Sequence, residues 1–193
     1  MRILVVHAHP VASSFNASLF RMTVERLSKA GHQVDAIDLY RDGFNPVMSE
    51  DERLNYHDLE TNRKPVEDYV DRLLDAEALV LVYPVWNYGF PAILKGWFDR
   101  VFLPGVSFGL VDGKVRPTLH NIGKILVITS YGGSRFRSWL MGDPPRKIAN
   151  RMLRATVRPG APVTYLAHYE MNLSTNQTRH SFMSRVERAL DRL

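Results

Sequence analysis

The sequence predicts an α/β fold: a five-stranded parallel sheet of order 2-1-3-4-5 with helices on both faces. Three observations carry this reading. Arg2 to Ala8, Ala78 to Tyr83 and Lys124 to Thr129 are continuous apolar runs, as expected of strands buried on both faces. Gln33 to Leu39 alternates, and Pro162 to His168 is rich in β-branched and aromatic residues, so each reads as a further strand. Amphipathic helical segments separate the strands, and that alternation gives right-handed crossovers and a parallel sheet.

Arg2 to Ala8 is the first strand. The helix after it, Asn16 to Ala30, sets Leu19, Met22 or Thr23, and Leu27 on one side, with Ser13 or Ser14 as its cap and Gly31 as its stop. The second strand, "QVDAIDL", leads into a long irregular linker. Within that linker Ser49 and Glu52 form a capping-box pattern for a short helix, and Pro65 opens another running to Asp75. The third strand passes through "YPVWNYGFP", Tyr83 to Pro91, into a helix from Ala92 to Phe102. Leu103 to Gly123 is an excursion without assigned structure, and "TSYGGSRF" is a loop after the fourth strand. Gly142-Asp143 precedes a helix from Pro144 to Ala155, and the turn Pro159-Gly160 opens the fifth strand. The polar run "NLSTNQT" introduces a last helix, Thr178 to Arg192.

The helix from Ala92 to Phe102 is apolar over a wide arc comprising Ile93, Leu94, Trp97, Phe98, Val101 and Phe102. One sheet contact does not need so much, so a second buried contact is implied. Either the excursion Leu103 to Gly123 folds over it, or it is the interface of a homodimer.

At 193 residues and 45% hydrophobic content the chain is expected to form a single domain, residues 1–193. The absence of cysteine excludes disulfides and thiolate metal sites. The run "ILVVHAH" is far too short for a signal-peptide core, and no apolar stretch reaches the roughly 18 residues of a spanning helix. A soluble, cytoplasmic protein is the expectation. The formal charge of +5 is uneven, because Arg135 to Arg158 holds seven basic residues against one acid, Asp143. That segment reads as a local anion site. Nucleic acid is not an expected partner, since there is no basic helix with base-reading spacing, no zinc spacing and no RNA-binding aromatic signature.

In a sheet of this order, ligands bind outside the carboxyl ends of the strands, where the first and third diverge. Three loops meet there: "HAHPVASSFN", "YPVWNYGFP" and "TSYGGSRF". Ser13, Ser14 and Asn16 can donate hydrogen bonds at a helix N-terminus, which makes an anion cradle or, more simply, a capped helix. Trp86, Tyr88 and Phe90 are more aromatic surface than a turn requires, so they cover something flat or fill an interface. Gly132 and Gly133 let the backbone approach a ligand with N–H groups facing it; alone, they are a turn. His7 and His9 share a face of the first strand and read as hydrogen-bonded histidines at its end rather than as a metal site. Taken together, the loops suit a planar ring system with a phosphate tail, the shape of flavin mononucleotide.

Across nearly its whole length the chain resembles the flavodoxin-like NAD(P)H:quinone oxidoreductases of the DT-diaphorase type. The resemblance rests on "AHPVASSFN" and on "YPVWNYGFPAILKGWFDRVF". It implies that His9, Ser14, Phe15, Asn16 and Ser18 contact the ribityl and phosphate groups of a flavin. Pro84, Val85, Trp86, Asn87 and Tyr88 would line the isoalloxazine ring, and Thr129, Ser130, Tyr131, Gly132 and Gly133 its pyrimidine edge. The cofactor the resemblance implies is FMN or FAD, with FMN favoured because Ser184 stands near the place of an acidic residue beside the adenine in the family. The Tyr and His that assist hydride transfer there have no clear equivalents in "SRFRSWLMGD".

The implied activity is two-electron reduction of quinones or similar aromatic acceptors, with NAD(P)H as donor, by a ping-pong mechanism. Flavin N5 carries the chemistry, the Gly132 and Gly133 backbone supports it, and no catalytic side chain or metal is required. Arg135 and Arg137 would attract the phosphates of the nicotinamide nucleotide, or form a solvated basic loop. The alternative implied by the resemblance is an ancillary regulatory subunit of a potassium efflux system, binding flavin or nicotinamide and meeting a peripheral membrane partner.

Overall fold

The three apolar runs lie side by side in the middle of one sheet. In the computed structural model, which describes residues 1–193, β1 (Arg2–His7) pairs in parallel with β2 (Gln33–Asp38) and with β3 (Ala78–Val85). Next to β3 stands β6 (Lys124–Tyr131), and next to that β7 (Val163–His168). The order β2-β1-β3-β6-β7 is the predicted one, once β4 (Phe108–Val111) and β5 (Lys114–Pro117) are set aside as a separate antiparallel pair. Every residue of β3 is buried, which is what a continuous apolar run between two helical layers requires.

The helix α1 (Phe15–Lys29) and the last helix, α8 (Asn176–Leu190), cover one face, with Leu19, Leu27, Phe182, Val186 and Leu190 in contact with the sheet. Opposite them lie α3 (Glu67–Asp75) and α4 (Ala92–Val101). Ser49 and Glu52 do form a capping box, at the start of the short α2 (Glu50–Leu54). No helix is long and apolar enough to cross a membrane.

The six apolar residues of the α4 arc are all buried within this chain. They share one buried cluster with Leu103, Val106, Leu119 and Ile122 of the excursion and with Phe44 of the linker before α2. Arg100 reaches out of α4 to Glu52 at 2.7 Å, bonds the carbonyl of Asn45, and lies 5.4 Å from the Phe44 ring centre. Gly96 meets Pro46 so closely that a Cβ there would fall 2.5 Å from the Pro46 Cα. This covering segment was not anticipated, because its contacts depend on one glycine and one arginine rather than on an apolar pattern.

Three segments differ from expectation. Leu103 to Gly123 contains the β4–β5 hairpin, turned by Asp112 and Gly113, both at positive φ. "SRFRSWL" is not loop throughout, since Ser134 caps a short helix, α5 (Arg135–Leu140). The helix expected from Pro144 to Ala155 is divided into α6 (Pro144–Lys147), a π-helical stretch Ile148–Leu153, and α7 (Arg154–Thr156).

Candidate functional site at the carboxyl edge of the sheet

Parallel strands aim their carboxyl ends at one edge, and the loops there hold the expected site residues. In the first loop, the Val11 N–H donates to His9 Nδ1 at 3.0 Å, which orients the imidazole edge-on to Trp86 at 5.8 Å between ring centres. Ser14 accepts the Ala17 N–H at 3.1 Å and is therefore the helix cap. The first turn of α1 carries no acidic residue, so the positive end of the helix is not neutralised by its own side chains. Arg21, missed in the sequence, adds to that charge. Its guanidinium donates to Ala12 O at 2.9 Å and to Ser18 Oγ at 3.1 Å, pinning the loop from one turn below. Asn16 is buried, donates through Nδ2 to Ser130 Oγ at 2.8 Å, and leaves its Oδ1 without a partner.

The aromatic loop divides its rings between two tasks. Tyr83 and Phe90 lie edge to face at 5.0 Å, and Phe90 continues onto Phe98 at 5.3 Å, so these rings fill the core beneath the loop. Trp86, 41% exposed, and half-buried Tyr88 stand at the edge of the sheet. Between Trp86 and Gly89 the chain turns through two backbone hydrogen bonds, with Asn87 and Tyr88 at φ 47° and 55°. An aromatic residue in the left-handed region costs on the order of 1 kcal/mol or more. Pro84 and Val85 belong to the end of β3, paired with Ser130 and Tyr131 of β6.

Thr129 and Ser130 are also strand residues. The Thr129 hydroxyl donates to the Tyr83 carbonyl at 2.6 Å, locking β6 to β3 beneath the loops. Gly132 and Gly133 follow, and neither has a positive φ. A Cβ at Gly132 would find its nearest neighbour, Asn172 Nδ2, at 3.5 Å; at Gly133 it would find the Tyr88 hydroxyl at 3.7 Å. Neither the turn nor the surrounding protein requires glycine here. The Glu170 N–H donates to the Gly133 carbonyl at 3.0 Å, so the loop after β7 is a fourth wall that sequence reasoning left out.

Tyr131 turns inward. Its hydroxyl donates to Asp143 Oδ1 at 2.7 Å and lies 2.6 Å from the Tyr165 hydroxyl, which leaves Tyr165 as the donor of that second bond. Burial first, and the neighbouring tyrosine and carboxylate after it, push the Tyr131 phenol far above its ordinary range; burial does the same for Tyr165. Both remain neutral at any physiological pH.

The three histidines near this edge, His7, His9 and His168, all have pKa values lowered by burial. His7 lies under the Phe20 ring at 4.7 Å with Nδ1 3.2 Å from Asp38 Oδ2, and that carboxylate opposes the shift without reversing it.

The expected basic pair separates. Arg135 lines a cavity of about 370 Å³ behind the Gly132-Gly133 loop, whereas Arg137, on the same helix, is not part of its wall. A larger cavity, about 610 Å³, lies between β7 and the start of α8, lined in part by His168, Phe182 and Arg185. Phe15 adjoins it, 5.6 Å from the His168 ring centre and 6.3 Å from that of Phe182.

Residues 1–158 match a family described as having a flavodoxin-like fold. The chain is 35% identical over 135 residues to an uncharacterized NAD(P)H oxidoreductase of Escherichia coli, a match covering 69% of this chain and 66% of that protein. It spans about half to about two thirds of the length of the curated relatives it matches. Among solved structures, an NAD(P)H:quinone oxidoreductase from Methanothermobacter marburgensis superposes with a TM-score of 0.82 at 28% identity, covering 98% of this chain and 97% of that one. An FMN-dependent NADH-azoreductase from Bacillus anthracis, solved in complex with FMN, shares the fold at 18% identity with a TM-score of 0.79, covering 99% and 98%.

Proposed function

The chain belongs to the flavodoxin-like fold family, and on that premise we propose that it is a flavin-dependent NAD(P)H oxidoreductase. The acceptor we infer is a quinone or a similar aromatic molecule. The observation that carries the reading is the Gly132-Gly133 pair. Neither glycine has a positive φ, and a Cβ on either would meet only Asn172 or Tyr88 at ordinary contact distance, so the absence of both side chains favours close approach of a flat ligand to this backbone.

The residues present fit a flavin. The uncompensated N-terminus of α1, with Arg21 beside it, suits a phosphate; the orphaned Oδ1 of Asn16 suits a hydroxyl of the ribityl chain. Trp86 and Tyr88 would give the ring system its aromatic wall, with Pro84, Val85 and Asn87 around them, and His9, Phe15 and Ser18 would complete the tail's surroundings. Thr129, Ser130 and Tyr131 would support the backbone N–H groups of Gly132 and Gly133 beside the pyrimidine edge. When bound, a flavin accepts a hydride from dihydronicotinamide and passes two electrons to an acceptor. The protein's share is to stack the partners, exclude water, and offer fixed N–H dipoles where negative charge collects. His9, whose pKa burial lowers and whose ring lies edge-on to Trp86 at 5.8 Å, is the titratable side chain beside the aromatic wall. One open aromatic slot serves donor and acceptor in turn, which gives a ping-pong scheme.

FMN is the favoured flavin, by the place of Ser184 on α8. The cavity beside Phe15 and His168 is the observation that favours FAD, since an adenylate would find room there; mass identification of the flavin released on heating decides between them. Activity is tested by initial rates with NADPH and a soluble benzoquinone, each varied against the other. Parallel double-reciprocal lines are expected. Intersecting lines would refute the alternating scheme, and nucleotide oxidation indifferent to quinone would refute the assignment of acceptor.

A further inference from the structure

The cavity behind the Gly132-Gly133 loop contains three cations and one carboxylate, Asp143. Asp143 and Arg146 are already committed. Asp143 accepts the Tyr131 hydroxyl through Oδ1 and the Arg146 Nε through Oδ2, the latter at 2.8 Å. Arg146 also donates to the Tyr169 hydroxyl at 2.9 Å and lies 4.5 Å from the Tyr165 ring centre. The other two cations are free. Arg135 and Lys147 make no ion pair and no side-chain hydrogen bond, although both line the cavity, and the Lys147 ammonium hangs over Gly142. Solvated cations normally spread over a convex face; here two unpaired ones share a concavity with a neutralised pair as its floor.

Trp139, 71% exposed as a residue, forms another part of the wall, and the Phe136 ring centre lies 6.1 Å from its own. An exposed indole beside uncommitted cations is a platform for a purine ring carrying phosphate. The cavity adjoins the site described above, because Tyr169 stacks on Tyr131 at 4.7 Å and Tyr131 immediately precedes Gly132.

We propose that this cavity is the seat of the 2′-phosphoadenosine end of NADPH, with Arg135 and Lys147 on the 2′-phosphate and Trp139 stacked on the adenine. The inference rests on the NAD(P)H reading and adds a nucleotide preference to it. A phosphomonoester carries close to two negative charges at neutral pH and accepts several charge-assisted hydrogen bonds, which matches two unpaired cations. NADH has no such group and gains nothing from them.

The test is calorimetric titration of the purified protein with adenosine 2′,5′-bisphosphate and with 5′-AMP, which differ only in the 2′-phosphate. The bisphosphate should bind about tenfold more tightly, and Lys147→Ala and Arg135→Ala should each weaken it by about tenfold, while Lys147→Arg retains most of the affinity. Arg137→Ala, an equal loss of charge outside the cavity, should do less. In turnover, Lys147→Ala should raise the KM for NADPH more than that for NADH. Equal affinity for the two nucleotides, no binding of the bisphosphate, or parental affinity in both Ala variants would overturn the proposal. Titration needs no turnover, so a protein that binds the bisphosphate but oxidises neither nucleotide contradicts the oxidoreductase reading alone.

Discussion

Asn16 Nδ2 donates to Ser130 Oγ at 2.8 Å, joining the start of α1 to the end of β6 through a buried bond between residues 114 positions apart. It ties the first turn of α1 to the carboxyl end of β6, at the proposed ligand site. Asn16→Ala leaves Ser130 buried without this donor and should cost about 1–3 kcal/mol of stability. Urea denaturation measures it. A variant as stable as the parent would mean that the bond is not holding the two elements together.

Gly132→Ala and Gly133→Ala should separate stability from binding. A new Cβ meets only ordinary van der Waals neighbours in either case, so thermal midpoints should move little. Flavin affinity, read by fluorescence quenching, should fall by about tenfold or more if the backbone approaches a ligand there. Loss of stability without loss of affinity would make the pair a simple turn.

The sheet was legible because its three central strands are short, uninterrupted apolar runs separated by amphipathic segments of helical length. The site's position followed from strand order, and its residues from the loops that order brings together. What stayed hidden depends on tertiary partners. Arg146 and Lys147 lie in the basic segment that reads as a local anion site, but which of its cations are paired, and that Trp139 joins them, follows only once α5 and α6 fold around Asp143, at φ 43°. Arg21 is an unremarkable helix residue whose importance comes from the loop carbonyl it meets. The hairpin is different, since Asp112-Gly113 is itself a local turn signal, short of a strand pattern only because "FGLV" and "KVRP" are four residues each.

Stability should decline as pH falls below about 6.5, the ordinary value from which His7 is lowered. A histidine held neutral by burial takes up its proton more readily in the unfolded chain, so protons favour unfolding from the unfolded pKa down to the lowered folded one. The slope for one proton is at most about 1.4 kcal/mol per pH unit. His7→Gln should flatten it, with His9 and His168 accounting for what remains. Chemical denaturation at several pH values decides; an unchanged slope in the variant would show that His7 is not the group responsible.

Gly96→Ala should destabilise the fold through a backbone clash. Its Cβ would collide with the Pro46 backbone, and the collision cannot be relieved by turning a side chain. Separation of α4 from the linker would strain the buried Arg100–Glu52 pair as well. A loss of about 1–3 kcal/mol is expected, visible as a lower Tm. A Tm equal to the parent's would show that the linker is free to move off α4.

The central claim is that a flavin occupies the crevice between Trp86 and Gly132-Gly133, and the visible absorption spectrum of the freshly purified protein tests it most directly. A yellow protein is expected, or a colourless one that acquires the flavin spectrum when FMN or FAD is added at micromolar concentration, with Trp86→Ala binding about tenfold more weakly. Colourless protein that takes up neither flavin would contradict the account.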